Sequence, residues 1–108
     1  MAKAVNGRIV FATCGSLREA RKIASAVVAS RLAACVNISS APIQSIYRWK
    51  GRVEVTKEVL LIIKTTAPRL KQLEKNIKAL HSYDVPEFLV IKVESGSAEY
   101  LAWLAANT

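Results

Sequence analysis

Apolar residues recur along the chain in spacings that predict alternating strands and helices. Residues Arg8 to Thr13 read as a first strand. Ser16 and Glu19 then have the spacing of a capping box, in which each side chain satisfies a free backbone N–H group at the start of a helix. We expect this helix to end near Ala34. Its apolar stripe consists of Ala20, Ile23, Ala24, Val27 and Val28.

The middle of the chain predicts a long β-hairpin. Residues Cys35 to Trp49 read as a second extended segment, which Pro42 interrupts. Because proline cannot donate a hydrogen bond to a sheet, this strand is expected to lie at an edge, bent or bulged at that point. Gly51 supplies the turn, since glycine takes positive φ without a steric penalty. Residues Val53 to Thr66 then form the third strand.

A second helix, a fourth strand and a last helix complete the pattern. The second helix begins around Thr66 to Pro68, where the missing N–H group of proline costs nothing. The fourth strand runs from about Glu87 to Glu94, and Ser97 caps a short last helix. The apolar stripe of the second helix consists of Leu70, Leu73, Ile77 and Leu80.

The order βαββαβ followed by a helix predicts an α+β fold of the ferredoxin-like type. Its antiparallel sheet has the strand order 4-1-3-2 and carries the first two helices on one face. Residues 1–108 are expected to form a single domain, because the length lies within the usual range for one.

The predicted sheet has more apolar strands than one layer of helices can cover. Residues Val59 to Ile63 and Phe88 to Ile91 are apolar at every position, whereas a strand solvated on one face alternates apolar and polar residues. The second face therefore needs a cover that this short chain does not supply. Self-association into a homo-oligomer is the prediction.

The composition adds a formal net charge of +8, from 16 lysines and arginines against 8 acidic residues. Because the basic residues are spread along the chain, a solvated surface is favoured over a phosphate-binding one. The RNA recognition motif shares this topology but needs aromatic residues on its first and third strands. Here Phe11 is alone, so no nucleic acid is expected. No membrane is expected either, because no apolar run reaches the about 20 residues of a spanning helix.

The segment from His81 to Glu87 is the candidate site for metal chemistry. In the 4-1-3-2 order, the end of the first strand at Cys14 lies near the start of the fourth strand at Glu87, and His81 precedes that start. A thiol, an imidazole and a carboxylate suit copper or zinc. His81 fits equally well as a partner of the helix C-terminus, and Cys14 as a small buried apolar residue.

The remaining residues predict no enzyme. Cys14 and Cys35 form neither a disulfide framework nor a Cys-x-x-Cys motif, and no signal peptide is visible, so a reduced, cytoplasmic protein is expected. No nucleophile elbow, Walker loop or Gly-x-Gly-x-x-Gly motif is present, and no organic cofactor is expected. Either a ligand cleft or a subunit interface accounts for the aromatic residues Tyr47, Trp49, Tyr100 and Trp103.

Five segments together closely resemble the CutA divalent-cation-tolerance family, in order and over nearly the whole chain. The segment His81 to Glu87 is similar to the family's His-Pro-Tyr-Glu-Val-Pro-Glu, with Ser82 in place of the proline and Asp84 in place of the glutamate. The cysteine that some members associate with metal falls a residue or two before Cys14 by register. The other four segments are residues 31–37, 45–51, 58–65 and 100–104.

The resemblance implies a ferredoxin-like homotrimer, packed through its sheets and hairpins. It implies a role in tolerance to divalent cations, copper in particular, and no known enzymatic activity. Animal members are associated with a cell-surface cholinesterase. The family also looks like the PII-type signalling trimers, so a signalling or scaffold trimer that binds a small ligand between subunits is the alternative. Metal ligation by His81, Glu87 and Cys14 is the prediction for the site.

Overall fold

The computed structural model describes all residues from 1 to 108 and has the predicted alternation of strands and helices. A 3-10 turn, Ala67–Arg69, precedes the second helix, so that the predicted start near Pro68 is the start of this turn. In chain order the elements are β1 (Ala2–Lys3), β2 (Gly7–Cys14), α1 (Leu17–Ala29), β3 (Cys35–Ile38), β4 (Ile43–Trp49), β5 (Arg52–Thr66), α2 (Leu70–Leu80), β6 (Leu89–Lys92), β7 (Ser95–Gly96) and α3 (Ala98–Ala106).

The main sheet confirms the predicted ferredoxin-like topology. Its strands follow the order β3-β5-β2-β6, which is the order 4-1-3-2 read from the other edge, and every pairing is antiparallel. The short strands β1 and β7 form a separate two-stranded sheet that the sequence patterns did not predict. No helix is both long enough and apolar enough to cross a membrane.

One face of the main sheet is closed by α1 and α2. Val10 pairs with Ile63 on β5 and with Val90 on β6, so these three residues point to the same face. Val10 and Ile63 are completely buried there, together with Ile23 of α1 and Leu73 of α2. The predicted stripes of both helices therefore face the core, except for Val28 at the end of the first stripe, which is exposed.

Helix α1 is shorter than predicted: it ends at Ala29 and not near Ala34. The chain reverses at Arg31, which has a φ of 61°, and the Leu32 N–H donates to the Val27 carbonyl at 2.9 Å. A residue in the left-handed region closes a helix in this way, usually as glycine or asparagine. The turn brings Leu32 and Ala33 into the core, where both are buried.

The predicted hairpin is formed by β4 and the first half of β5. The turn residues Lys50 and Gly51 have φ values of 50° and 77°, and two consecutive positive φ values match the twist of a two-residue hairpin. The interruption predicted at Pro42 separates β3 from β4. The hairpin pairs with no other strand and lengthens the molecule to 44 Å, against 25 Å in the other two directions.

The second face of the sheet is covered at one end only. Helix α3 lies there, with Leu104 buried and the Lys64 Nζ atom 5.9 Å from the centre of the Tyr100 ring. Beyond α3, Leu89 and Ile91 of β6 are 58% and 43% exposed. Register places both on this face, since they pair with Phe11 and Ile9 and not with the buried positions of β2. We call this surface the open face.

The histidine loop and an acidic cavity

The loop that follows α2 is fixed to the end of β2 by its histidine. The His81 Nδ1 atom accepts a hydrogen bond from the Tyr83 N–H at 3.0 Å. The proton of this tautomer is therefore on Nε2, which donates to the Thr13 carbonyl at 2.7 Å. The side chain is completely buried. Both ring nitrogens are thus occupied by backbone groups, and His81 joins α2 to β2.

Glu19 makes a second connection to this loop. Its backbone N–H donates to the Ser16 hydroxyl at 3.1 Å, as the capping box predicts. Its carboxylate, however, accepts hydrogen bonds from the Ser82 N–H at 2.6 Å and from the Ser82 hydroxyl at 3.0 Å. Glu19 Oε1 lies 3.9 Å from His81 Nδ1. The start of α1 therefore holds the loop, and Ser82 contributes two donors to this contact.

The side chain of Tyr83 connects the loop to the open face. Its hydroxyl donates to Glu58 Oε2 at 2.9 Å, and its ring lies 4.6 Å from the His81 ring. A Cβ atom on Gly15 would lie 3.3 Å from the Tyr83 hydroxyl oxygen. The absence of a side chain at Gly15 therefore leaves room for the Tyr83 ring. Burial raises the pKa of Tyr83, and the hydrogen bond to Glu58 raises it further. Tyr83 therefore remains a protonated donor at neutral pH.

Cys14 belongs to the core and not to the loop. It points to the helix face with Val10 and Ala12, and it is completely buried. Burial raises the pKa of its thiol to about 12, and the charges of Glu19 and Glu58 act in the same direction. Metals bind the thiolate, so ligation by Cys14 has to work against this shift. Cys35 is half-buried on the other side of the sheet, where it pairs with Lys64.

The open face carries a cavity of about 600 Å³ at the end that α3 leaves free. Glu58, Asp84 and Glu87 give it three carboxylates, and no lysine, arginine or histidine lines it. The ion pair between Glu74 and Lys78 does not reach these carboxylates, and Glu19, which lies beside the neutral His81, is not among them. The lining residues are Thr13, Ser45, Ile46, Tyr47, Trp49, Glu58, Tyr83, Asp84, Val85 and Glu87.

Two of these carboxylates interact. Glu58 is only 8% exposed, which is unusual for a charged side chain without a basic partner. Burial raises the pKa of Glu87, and the negative charge of Glu58 raises it further. Two carboxylates that repel each other in a partly desolvated cavity are stabilised by any cation that enters between them.

The three residues predicted from the sequence as metal ligands lie in one region but face different ways. The hydrogen bond from His81 to Thr13 confirms that the loop meets the end of the first strand. Glu87 lines the cavity on the open face, whereas Cys14 lies in the core on the helix face. No three histidine, cysteine or acidic side chains are placed to hold one metal ion. Metal ligation by this set stays a prediction.

Glu58 is the residue of the cavity that sequence reasoning missed. The signal for it was present, because Glu58 directly precedes the apolar run from Val59 to Ile63. An acidic residue at the buried end of such a strand has little access to solvent, and its charge is therefore costly unless a cation or a hydrogen-bond donor binds it.

The raised pKa of Glu87 predicts a pH dependence of stability in the metal-free protein. The folded state holds this proton more tightly than the unfolded state, so the free energy of unfolding falls as the pH rises from 4.5 through the raised pKa of Glu87. Glu87→Gln removes the ionisation, and we expect a smaller fall over this range and a more stable protein than the wild type at neutral pH. Urea unfolding in EDTA at several pH values measures this.

The matched control for this experiment is Glu94→Gln, at an exposed carboxylate outside the cavity. It should keep the pH dependence of the wild type. Equal pH dependence in Glu87→Gln and the wild type would contradict the interpretation of Glu87.

These observations define a class: a ferredoxin-like α+β domain with an open sheet face and an acidic cavity at one end of it. Comparison with known proteins identifies the family that has this fold. The profile of the family described as "CutA1 divalent ion tolerance protein" matches residues 8–107. The chain belongs to this CutA1 family.

Individual relatives support the assignment. A divalent-cation tolerance protein CutA from Thermus thermophilus is 47% identical over 100 residues, which cover 93% of this chain and 96% of that protein. A solved structure of the Thermus thermophilus protein matches with a TM-score of 0.92 at 46% identity, over 94% of this chain and 98% of the other. A structure described as the periplasmic divalent cation tolerance protein CutA of Archaeoglobus fulgidus matches with a TM-score of 0.90 at 36% identity, over 94% and 97% of the two chains.

Some relatives are longer than this chain. A chloroplastic CutA of Arabidopsis thaliana is 41% identical over 106 residues, which are 98% of this chain but 58% of that protein. The 106 matched residues make up nearly all of this chain, so the match covers the fold described above.

Proposed function

We propose that this protein is a non-enzymatic homotrimer that binds copper or another divalent cation in the cytoplasm. The family is named for tolerance to divalent ions and not for a catalysed reaction, which supports the coarse assignment. The observation that carries the proposal is Glu58, a nearly buried carboxylate beside Glu87 that no basic side chain neutralises. Buried charges are generally paired or coordinate metals.

The donor groups of the cavity fit a divalent cation bound through oxygen. Glu58 and Glu87 supply two carboxylates, and the cavity has room for the water molecules that complete the coordination of such ions. Oxygen donors favour magnesium, calcium and manganese, whereas copper prefers nitrogen and sulfur. To add such donors, His81 would have to release one of its two backbone hydrogen bonds, and Cys14 would have to lose its proton in the core.

The residues around the carboxylates prepare the site. Tyr83 donates to Glu58 Oε2, which orients the carboxylate and leaves Oε1 as an acceptor for a cation. A bound cation also favours the ionised form of Glu87, so that binding near the raised pKa of this group releases a proton. The chain therefore supplies charge and orientation, and the cation relieves the repulsion.

The open face supports the homotrimer. Leu89 and Ile91 are large apolar residues exposed on the open face of the single chain. Ile46, Val53 and Val55 are also exposed, on the side of the projecting hairpin that continues the helix face. Exposed apolar surfaces of this kind mark interaction sites. The projecting hairpin can extend this contact to a neighbouring subunit.

Calorimetric titration with copper(II) and with manganese(II) tests the metal site. Glu58→Gln is expected to weaken binding of at least one of these ions by about tenfold or more, since it removes a charged oxygen donor. The control Glu94→Gln should bind like the wild type. A third variant, His81→Ala, tests the ligand set predicted from the sequence. Because it also removes the hydrogen bonds that fix the loop, weaker copper binding together with unchanged manganese binding would assign His81 to the site. Equal binding in the wild type and Glu58→Gln would contradict the proposal.

A further inference from the structure

We propose that the acidic cavity also binds a small organic ammonium ion, held between its carboxylates and its aromatic side chains. The inference goes beyond divalent-cation binding, because it depends on the aromatic residues Tyr47 and Trp49, which have no role in the proposed metal site. An ammonium group is the ligand chemistry that matches both kinds of lining.

The charge of the cavity is opposite to that of the protein. The chain has a formal net charge of +8, yet three of its eight acidic residues, Glu58, Asp84 and Glu87, line this one cavity without any basic residue. Because the chain pairs the nearly buried Glu58 with no lysine or arginine, a cation from outside the chain is the partner that stabilises it. A cationic ligand supplies this charge.

The aromatic lining favours an organic cation over a bare metal ion. Ammonium groups are attracted to the faces of tryptophan and tyrosine, and aromatic cages recognise alkylated ammonium ions in this way. Trp49 and Tyr47 keep 43% and 41% of their surface exposed, so part of each residue is accessible to a ligand. Val85 adds apolar surface to the same lining for the alkyl groups of such a ligand.

The size of the cavity agrees with an organic ligand. Its volume of about 600 Å³ lies within the range of about 300–1,000 Å³ that is typical of small-molecule pockets. A metal ion with a few water molecules needs a small part of this, since one water takes about 30 Å³ in the liquid. The space that remains is bounded by aromatic and apolar side chains.

Polar groups at the inner end of the cavity supply anchors. Thr13 is 8% exposed and lines the cavity, and its side-chain hydroxyl makes no hydrogen bond to another protein group. The only protein hydrogen bond to the Glu58 carboxylate comes from the Tyr83 hydroxyl and goes to Oε2, so that Oε1 remains an acceptor. The negative charge of Glu58 attracts any ammonium ion, and both oxygens also accept hydrogen bonds from ions that carry N–H groups.

Titration calorimetry with tetramethylammonium chloride tests the proposal, with tert-butanol as a neutral molecule of similar shape. The wild type should bind tetramethylammonium and give no comparable heat with tert-butanol. Trp49→Leu should weaken binding by about twofold to thirtyfold, the range of a cation–π contact. The matched control is Trp103→Leu, which removes a tryptophan that is also 43% exposed but lies outside the cavity, and it should bind like the wild type.

A parallel titration with manganese(II) separates this inference from the proposed function. Trp49→Leu should leave binding of the metal unchanged, whereas Glu58→Gln should weaken binding of both cations. Tyr47→Leu gives a second aromatic variant if Trp49→Leu does not fold. Equal heats for tetramethylammonium and tert-butanol, or equal tetramethylammonium affinity in Trp49→Leu and the wild type, would overturn the proposal. If the wild type binds tetramethylammonium but not manganese(II), the result overturns only the proposed function.

Discussion

Replacing Ile91 by aspartate is expected to convert the proposed homotrimer into a monomer. Ile91 is 43% exposed on the open face and pairs with Ile9 across the sheet, so it lies within the apolar surface that we propose as the subunit contact. A carboxylate placed there has to lose its hydration in every contact of the assembly without gaining a partner. Size-exclusion chromatography with light scattering should give three times the 11.8 kDa subunit mass for the wild type and the subunit mass for Ile91→Asp.

Val28→Asp is the control for this experiment. Val28 is 40% exposed, close to the value for Ile91, but it lies on α1, the helix that covers the opposite face of the sheet. This variant should keep the mass of the wild type. A monomeric wild type, or a trimeric Ile91→Asp variant, would contradict the assignment of the interface.

The second large effect is expected in the core. Leu73→Ala should lower the free energy of unfolding by about 3 kcal/mol, because it removes buried methyl groups and leaves a cavity that the surroundings fill only in part. Leu73 is completely buried between α2 and the sheet, on the side away from the open face. Urea unfolding at one fixed subunit concentration measures the change, since the stability of an assembly depends on concentration.

Gln72→Ala provides the comparison for Leu73→Ala on the same helix. Gln72 is the exposed neighbour of Leu73, and its substitution should change stability by no more than about 0.5 kcal/mol. Leu73→Ala should also keep the oligomeric mass of the wild type. A loss of stability as small as that of Gln72→Ala would show that α2 does not close the core in the way described.

Much of the fold followed from the spacing of apolar residues. The stripes of α1 and α2, the hairpin turn at Gly51 and the caps at Ser16 and Ser97 are local features, and each occurs where the sequence predicts it. The end of α1 was predicted wrongly because Arg31 carries no local signal for a helix stop. Its left-handed conformation is fixed by the burial of Leu32 and Ala33, which is a tertiary effect.

The candidate site, like the fold, was predicted from the sequence only in part. Strand order alone predicted that the loop at His81 meets the end of β2, since topology fixes which strand ends are neighbours. The direction of each side chain was not predicted. Cys14 has the parity of Val10 and Ala12 and enters the core, whereas Thr13 and Glu58 line the cavity on the open face.

The sequence by itself therefore determined the family, the order of elements and the neighbourhood of the histidine loop, because these depend on motifs and on local periodicity. The tertiary structure decided which polar groups remain available for a ligand. His81 has both ring nitrogens bound to the backbone, and Cys14 is buried. Glu58 and Glu87 share a cavity without a basic residue. Availability depends on what each group already binds, and those partners come from distant parts of the chain.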